Sequence, residues 1–143
     1  MNRHGIHIEN KMNMKTILIH SQEPELSTAW AGYLSSDGSA VFTSSDAMES
    51  AEILSMVKVD TLIIAGNSPD PFLLLGKTLS RKKNYTNIIA VTEIPPSRLQ
   101  LLLATDSFVT MALPFTFSKL KGAVEAPQNI LEAASNAFVL QSR

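Results

Sequence analysis

The chain has no cysteine, so it has no disulfide framework, thiolate metal site or cysteine nucleophile, and a reducing cytosol is its expected compartment. Histidine is scarce as well. Three residues at scattered positions leave a zinc site too few ligands. No excess of either charge is present: twelve Lys and Arg against thirteen Asp and Glu give a formal charge of −1. That near-balance supplies no general pull towards nucleic acid or an anionic membrane surface. Long apolar runs are missing too. Residues 99–104 and similar runs fall far short of the roughly 20 residues that span a bilayer, and the N-terminus has no basic-then-apolar signal layout. Repeats and low-complexity segments are not visible. What remains is 143 residues, 45% hydrophobic and 17% charged, enough for one domain with a substantial core and at most a short appendage.

Residues 1–14 are polar and unpatterned, with Met12 and Met14 as alternative starts, and read as a flexible tail. From Lys15 the chain becomes rhythmic. Thr16-Ile17-Leu18-Ile19-His20 is a short apolar run of the kind a buried parallel strand shows. Pro24 opens a helix where its missing N–H costs nothing, with Leu26, Trp30, Tyr33 and Leu34 on one face and Ser36-Asp37-Gly38 as the stop. The cycle repeats. Ala40-Val41-Phe42-Thr43 is a strand, and Asp46 with Glu49 has the spacing of a capping box for a helix lined by Ala47, Ala51, Leu54 and Val57. Thr61-Leu62-Ile63-Ile64-Ala65 is the third strand, followed by a loop over 66–71 and a helix over 72–81. Ile88-Ile89-Ala90-Val91-Thr92, a helix over 97–104, Phe108-Val109-Thr110-Met111-Ala112 and a helix over 118–125 complete the alternation. Five strands alternating with five helices over about 110 residues give parallel βαβ units with right-handed crossovers. The expected fold is therefore α/β, a flavodoxin-like doubly wound five-stranded sheet in order 2-1-3-4-5.

Ligands of such sheets gather at the carboxyl ends of the strands, beside the switch point. His20-Ser21-Gln22-Glu23, Ala65-Gly66-Asn67, Thr92-Glu93 and Leu113-Pro114 leave those ends. The stretches Ile17-Leu18-Ile19-His20-Ser21-Gln22-Glu23-Pro24, Asp60-Thr61-Leu62-Ile63-Ile64-Ala65 with Pro69, Ile88-Ile89-Ala90-Val91-Thr92, and Leu113-Pro114-Phe115 resemble the signature segments of response-regulator receiver domains, in order and spacing, over residues 15–126. The resemblance implies a pocket in which two acidic residues hold Mg²⁺, an aspartate accepts a phosphoryl group and a lysine contacts its oxygens. In this chain Ser21 and Gln22 replace the acidic pair, Ala65 replaces the acceptor, and Leu113 replaces the lysine. Thr92 keeps the hydroxyl that reads the phosphoryl group. The mobile aromatic of the fifth strand would fall at Thr110, with Phe108 as a shifted substitute.

The chemistry follows from those replacements. A hydroxyl and an amide are poor substitutes for carboxylates on Mg²⁺, and phosphoryl transfer consists mostly of positioning and charge neutralisation. A methyl group is no nucleophile, and Ser21 has no visible base or cation to activate it. The expectation is a degenerate, phosphorylation-independent pseudo-receiver. It would be a cytoplasmic, non-enzymatic signalling or adaptor module of two-component type, without metal or cofactor, acting by contact with another signalling protein. Nucleic acid and membrane are not expected partners. By family analogy the docking face, and that of a possible homodimer, lies on the fourth helix, fifth strand and fifth helix, about residues 97–126. The rival reading is a small-ligand module using Ser21, Asn67, Ser68 and Thr92 as neutral hydrogen-bonding groups in the strand-end crevice.

Other residues have plainer readings. His20 lacks triad or metal partners and reads as a hydrogen-bonded structural histidine. Glu23 reads as a companion to the positive end of the following helix. Gly66-Asn67-Ser68 reads as a βα turn without nucleotide-motif glycine spacing. Lys77, Arg81, Lys82 and Lys83 read as a solvated helix end, and Trp30 as core. Over 127–143, Ile130, Leu131, Ala134 and Phe138 have helical spacing, which predicts a C-terminal helical extension packed on its own domain or on a partner.

Overall fold

The computed structural model describes residues 15–82, 85–113 and 117–125. Short β-branched runs become strands β1 (Thr16–His20), β2 (Ala40–Ser44), β3 (Thr61–Ala65), β4 (Asn87–Val91) and β5 (Val109–Met111). Between and after them lie α1 (Pro24–Leu34, extended by a 3₁₀ turn at Ser35–Asp37), α2 (Ala47–Met56), α3 (Pro69–Ser80), α4 (Pro96–Leu103) and α5 (Phe117–Glu125). All neighbouring strands are parallel, in the order β2-β1-β3-β4-β5. This is the flavodoxin-like arrangement expected from the alternation.

The apolar strands bury both faces of the sheet. On one side Ile17, Ile19, Ile63 and Ile89 pack with Trp30 and Leu34 of α1 and Leu120 and Val124 of α5. On the other, Leu18, Leu62, Ile64 and Ala90 pack with Leu54 of α2, Phe72 and Leu75 of α3, and Leu99 and Leu103 of α4. Trp30 is 2% exposed, as a core residue should be. The contact between α3 and α4 is close. A Cβ placed on Gly76 would lie 2.8 Å from both Cα and O of Leu103, so the helices can meet there only through a glycine.

Three local readings need correction. Helix α3 begins at Pro69, not at residue 72: Ser68 is extended at the N-cap and Pro69 takes the first helical position. Two prolines that read as loop residues both fall in the first turn, where no backbone N–H is needed. The capping box at α2 does not form. The Asp46 side chain accepts from Met48 N–H at 3.3 Å. The Asp46 N–H, however, donates to Ser44 Oγ at 3.2 Å, and Glu49 accepts from the Ser44 hydroxyl at 2.8 Å. Lys82 is not a freely solvated charge. Its ammonium donates to the carbonyls of Leu54 and Val57 at the carboxyl end of α2, where a cation meets the negative end of the helix dipole. The readings for residues 1–14 and 127–143 and for Lys83, including the Ile130, Leu131, Ala134 and Phe138 stripe, lie outside the described residues.

Candidate functional site

The carboxyl ends of β1, β3 and β4 open onto a cavity of 460 Å³. Parallel strands make this edge a natural site, because every βα turn leaves from it. After β1, Ser21 extends the ladder by donating its N–H to Ser44 O at 3.1 Å. Its hydroxyl oxygen accepts from Glu23 N–H at 3.1 Å, a local turn that tightens the entry into α1. Glu23 is the N-cap of α1, but its carboxylate makes no capping hydrogen bond. Helix α1 instead starts on the Glu23 carbonyl, which accepts from Leu26 and Ser27.

After β3, Gly66 takes a φ of +130°, a conformation that side chains rarely adopt. Its N–H donates to Val91 O at 3.0 Å. The turn brings Asn67 over the end of β4. Asn67 Oδ1 accepts from Thr92 Oγ1–H at 3.1 Å and from Glu93 N–H at 2.8 Å. Thr92 Oγ1 in turn accepts from Ile94 N–H at 3.1 Å. The two turns flanking the cavity are therefore tied together through one amide oxygen.

Ser21, Gln22, Ala65, Thr92 and Leu113 all line the cavity, and so do Asn67 and Ser68. Residues expected from separated segments thus share one site. Phe108 and Thr110 do not line it. Phe108 immediately precedes β5 and packs with Leu99 and Leu103 under the sheet, and Thr110 is half-buried on the strand. The lining residues that sequence reasoning did not place in the site are Leu26, Pro71, Phe72 and Val91, whereas His20 and Glu93 stand at strand ends as expected. His20 is 1% exposed, with Nδ1 hydrogen-bonded to Ser50 Oγ at 2.8 Å. Its Nε2 is buried without a hydrogen-bond partner among the described residues. Burial pushes the imidazole below its ordinary pKa, and the charge of Asp46 opposes that shift. The only sequence signal for this residue was its position at the end of a buried strand.

The donor set does not fit Mg²⁺. The turn after β1 offers a hydroxyl already hydrogen-bonded to its own turn, an exposed amide and the single carboxylate of Glu23, and β3 ends in a methyl group. Among the described residues no group of three or more His, Asp or Glu gathers in metal-binding geometry. The lining carboxylates are Glu23 and Glu93, and no described Lys or Arg joins them. This arrangement can hold neutral polar groups against an apolar floor, but it neither concentrates nor neutralises phosphate charge.

No protein-family model and no curated protein matches the chain. Its likeness is to solved structures. A response regulator receiver domain protein (CheY-like) from Methanospirillum hungatei JF-1 is 18% identical with a TM-score of 0.68, over 84% of this chain and 98% of that one. The receiver domain of Francisella response regulator 1452 is 18% identical with a TM-score of 0.62, over 83% and 97%. A response regulator protein from Burkholderia pseudomallei, solved with a phosphorylated aspartic acid, calcium ion and citrate, is 14% identical with a TM-score of 0.66, over 83% and 71%. Strand order, helix placement and this likeness agree: the chain has the fold of response-regulator receiver domains.

Proposed function

We propose that this chain is a pseudo-receiver, a phosphorylation-independent signalling or adaptor module of bacterial two-component type that works by protein–protein contact. The observation that carries the reading is Ala65. It ends β3 at the cavity, so a methyl group occupies the place where a phosphoacceptor carboxylate would stand. Ser21, Gln22 and Leu113 around it supply neither metal-binding carboxylates nor a cation. On this reading the chain is not an enzyme, takes no metal or cofactor, and works in the cytoplasm without binding nucleic acid or membrane. No described helix is long and apolar enough to cross a membrane.

The docking face is assigned by fold analogy to α4, β5 and α5, where another signalling protein or a second copy would sit. Leu101 on α4, 80% exposed, is available for such a contact. The test is incubation of the purified chain with a phosphoramidate or acyl phosphate, with and without Mg²⁺, followed by mass spectrometry and thermal melting. The expected result is no phosphate adduct and no Mg²⁺-specific rise in Tm. A site that binds metal a hundredfold below its working concentration would add about 2.7 kcal/mol. A stable adduct mapped to the strand-end cavity would overturn the reading.

A further inference from the structure

We propose that the strand-end cavity is a binding site for a small uncharged organic molecule, held by His20, Ser21 and Asn67 above an apolar floor. The proposal rests on the reading that this pocket carries no phosphoryl chemistry, and it gives the pocket a different occupant.

Size and shape come first. At 460 Å³ the cavity is within the roughly 300–1,000 Å³ usual for small-molecule sites. Ala65, Val91, Leu26 and Phe72 give it apolar walls. Those walls are already set by the Asn67 ties to Thr92 and Glu93, the Ser21 turn and the Gly66 bond to Val91. A preformed site loses little conformational freedom on binding.

Three polar groups remain unspent. His20 Nε2 is buried with no partner among the described residues, because Nδ1 is taken by Ser50. A buried polar atom without a hydrogen bond is costly to leave unpaired, and a ligand atom would relieve that cost. The Ser50 hydroxyl can donate to Nδ1 or accept from it, so the bond allows either tautomer and Nε2 can serve as an acceptor or a donor to the ligand. Ser21 uses its oxygen to accept from Glu23 N–H, which leaves its own proton to donate. Asn67 uses Oδ1 twice, which leaves its amide N–H groups to donate.

Charge then narrows the ligand class. Glu23 and Glu93 line the cavity and no described Lys or Arg does, so an anion meets repulsion without compensation. Divalent cations lack a ligand set among the described residues. An uncharged planar molecule with hydrogen-bonding edges, such as a heteroaromatic ring or an amide, matches apolar walls carrying three polar contacts.

The test is a screen of the full chain against uncharged heteroaromatic and amide fragments, followed by NMR of the His20 ring and the Asn67 side-chain amide. Fragments that move both sets of resonances are expected. Ala65→Phe, which fills the cavity while leaving His20 in place, should weaken them roughly tenfold or more. His20→Gln provides a second variant, and thermal melting shows that each still folds. The site is overturned if no fragment moves the His20 ring, if the fragments that bind map to other surfaces, or if only phosphate, Mg²⁺ or amines bind. Treating the same sample with a phosphoramidate separates the two readings. A phosphate adduct would remove the pseudo-receiver reading itself, whereas absent fragment binding without an adduct removes only the ligand site.

Discussion

The hydroxyl of Thr92 donates to Asn67 Oδ1 at 3.1 Å, joining the turn after β4 to the turn after β3 across the mouth of the cavity. Because the same oxygen accepts from Glu93 N–H at 2.8 Å, Asn67 holds both the side chain and the backbone of the opposite turn. The hydroxyl that in the resemblance would respond to a phosphoryl group is thus engaged by a residue of the chain itself.

Removing that oxygen should loosen the turn. Asn67→Ala is expected to speed amide hydrogen exchange at Glu93 and Ile94 and to cost about 0.5–1.5 kcal/mol of stability, the usual net worth of a hydrogen bond. Asn67→Asp keeps an acceptor at the same position and should retain the protection. Unchanged exchange in Asn67→Ala would show that the tie does not order the turn.

The α3–α4 contact makes a second prediction. Gly76→Ala should destabilise by about 1–3 kcal/mol, because its Cβ would be 2.8 Å from the Leu103 backbone, which cannot rotate away. Alanine's better helix propensity, about 1 kcal/mol, works in the opposite direction and is outweighed. Gly32→Ala and Gly122→Ala are the controls, since a Cβ there meets nothing within 4 Å. Thermal melting should show a lower Tm for Gly76→Ala alone. If all three variants behaved alike, the helices would not be in close contact at Gly76.

A third prediction concerns pH. Burial lowers the His20 pKa in the folded state, so the unfolded chain takes up this proton first as the solution is acidified. The stability tied to neutral His20 is therefore fully present above the ordinary histidine pKa of about 6.5 and declines as pH falls from there towards the lowered folded value. His20→Leu removes the titrating group. Urea melts of both proteins across this range should show a shallower acid loss in the variant. An identical slope would mean that His20 is not buried neutral.

The sheet was legible in the sequence because its strands are short, continuous and apolar. Ile17, Leu18 and Ile19, or Leu62, Ile63 and Ile64, are β-branched-rich runs bounded by turn residues, which suits the interior of a sheet covered on both faces. The start of α3 was not, since Pro69 and Pro71 carry the same residue signal whether they break a helix or open one. Positions that line the cavity were legible wherever a strand ended. The bonds inside it were not. Asn67 and Thr92 are 25 residues apart, and only the β3–β4 register and the Gly66 turn bring them together. The pairing of His20 with Ser50 is hidden in the same way, because it depends on how α2 lies across β1.

The division between sheet interior and strand ends decides which positions are free to vary. The residues that secure the fold, such as Ile19, Ile63 and Ile89, lie within the strands, while Ser21, Ala65 and Thr92 stand where the strands stop or just beyond. Exposed side chains beyond the ends, such as Gln22, can be exchanged without unsettling the layers beneath them. One sheet interior can therefore carry different residues at its strand ends, and here a backbone that matches a receiver domain at a TM-score of 0.68 with 18% identity carries alanine at the end of β3.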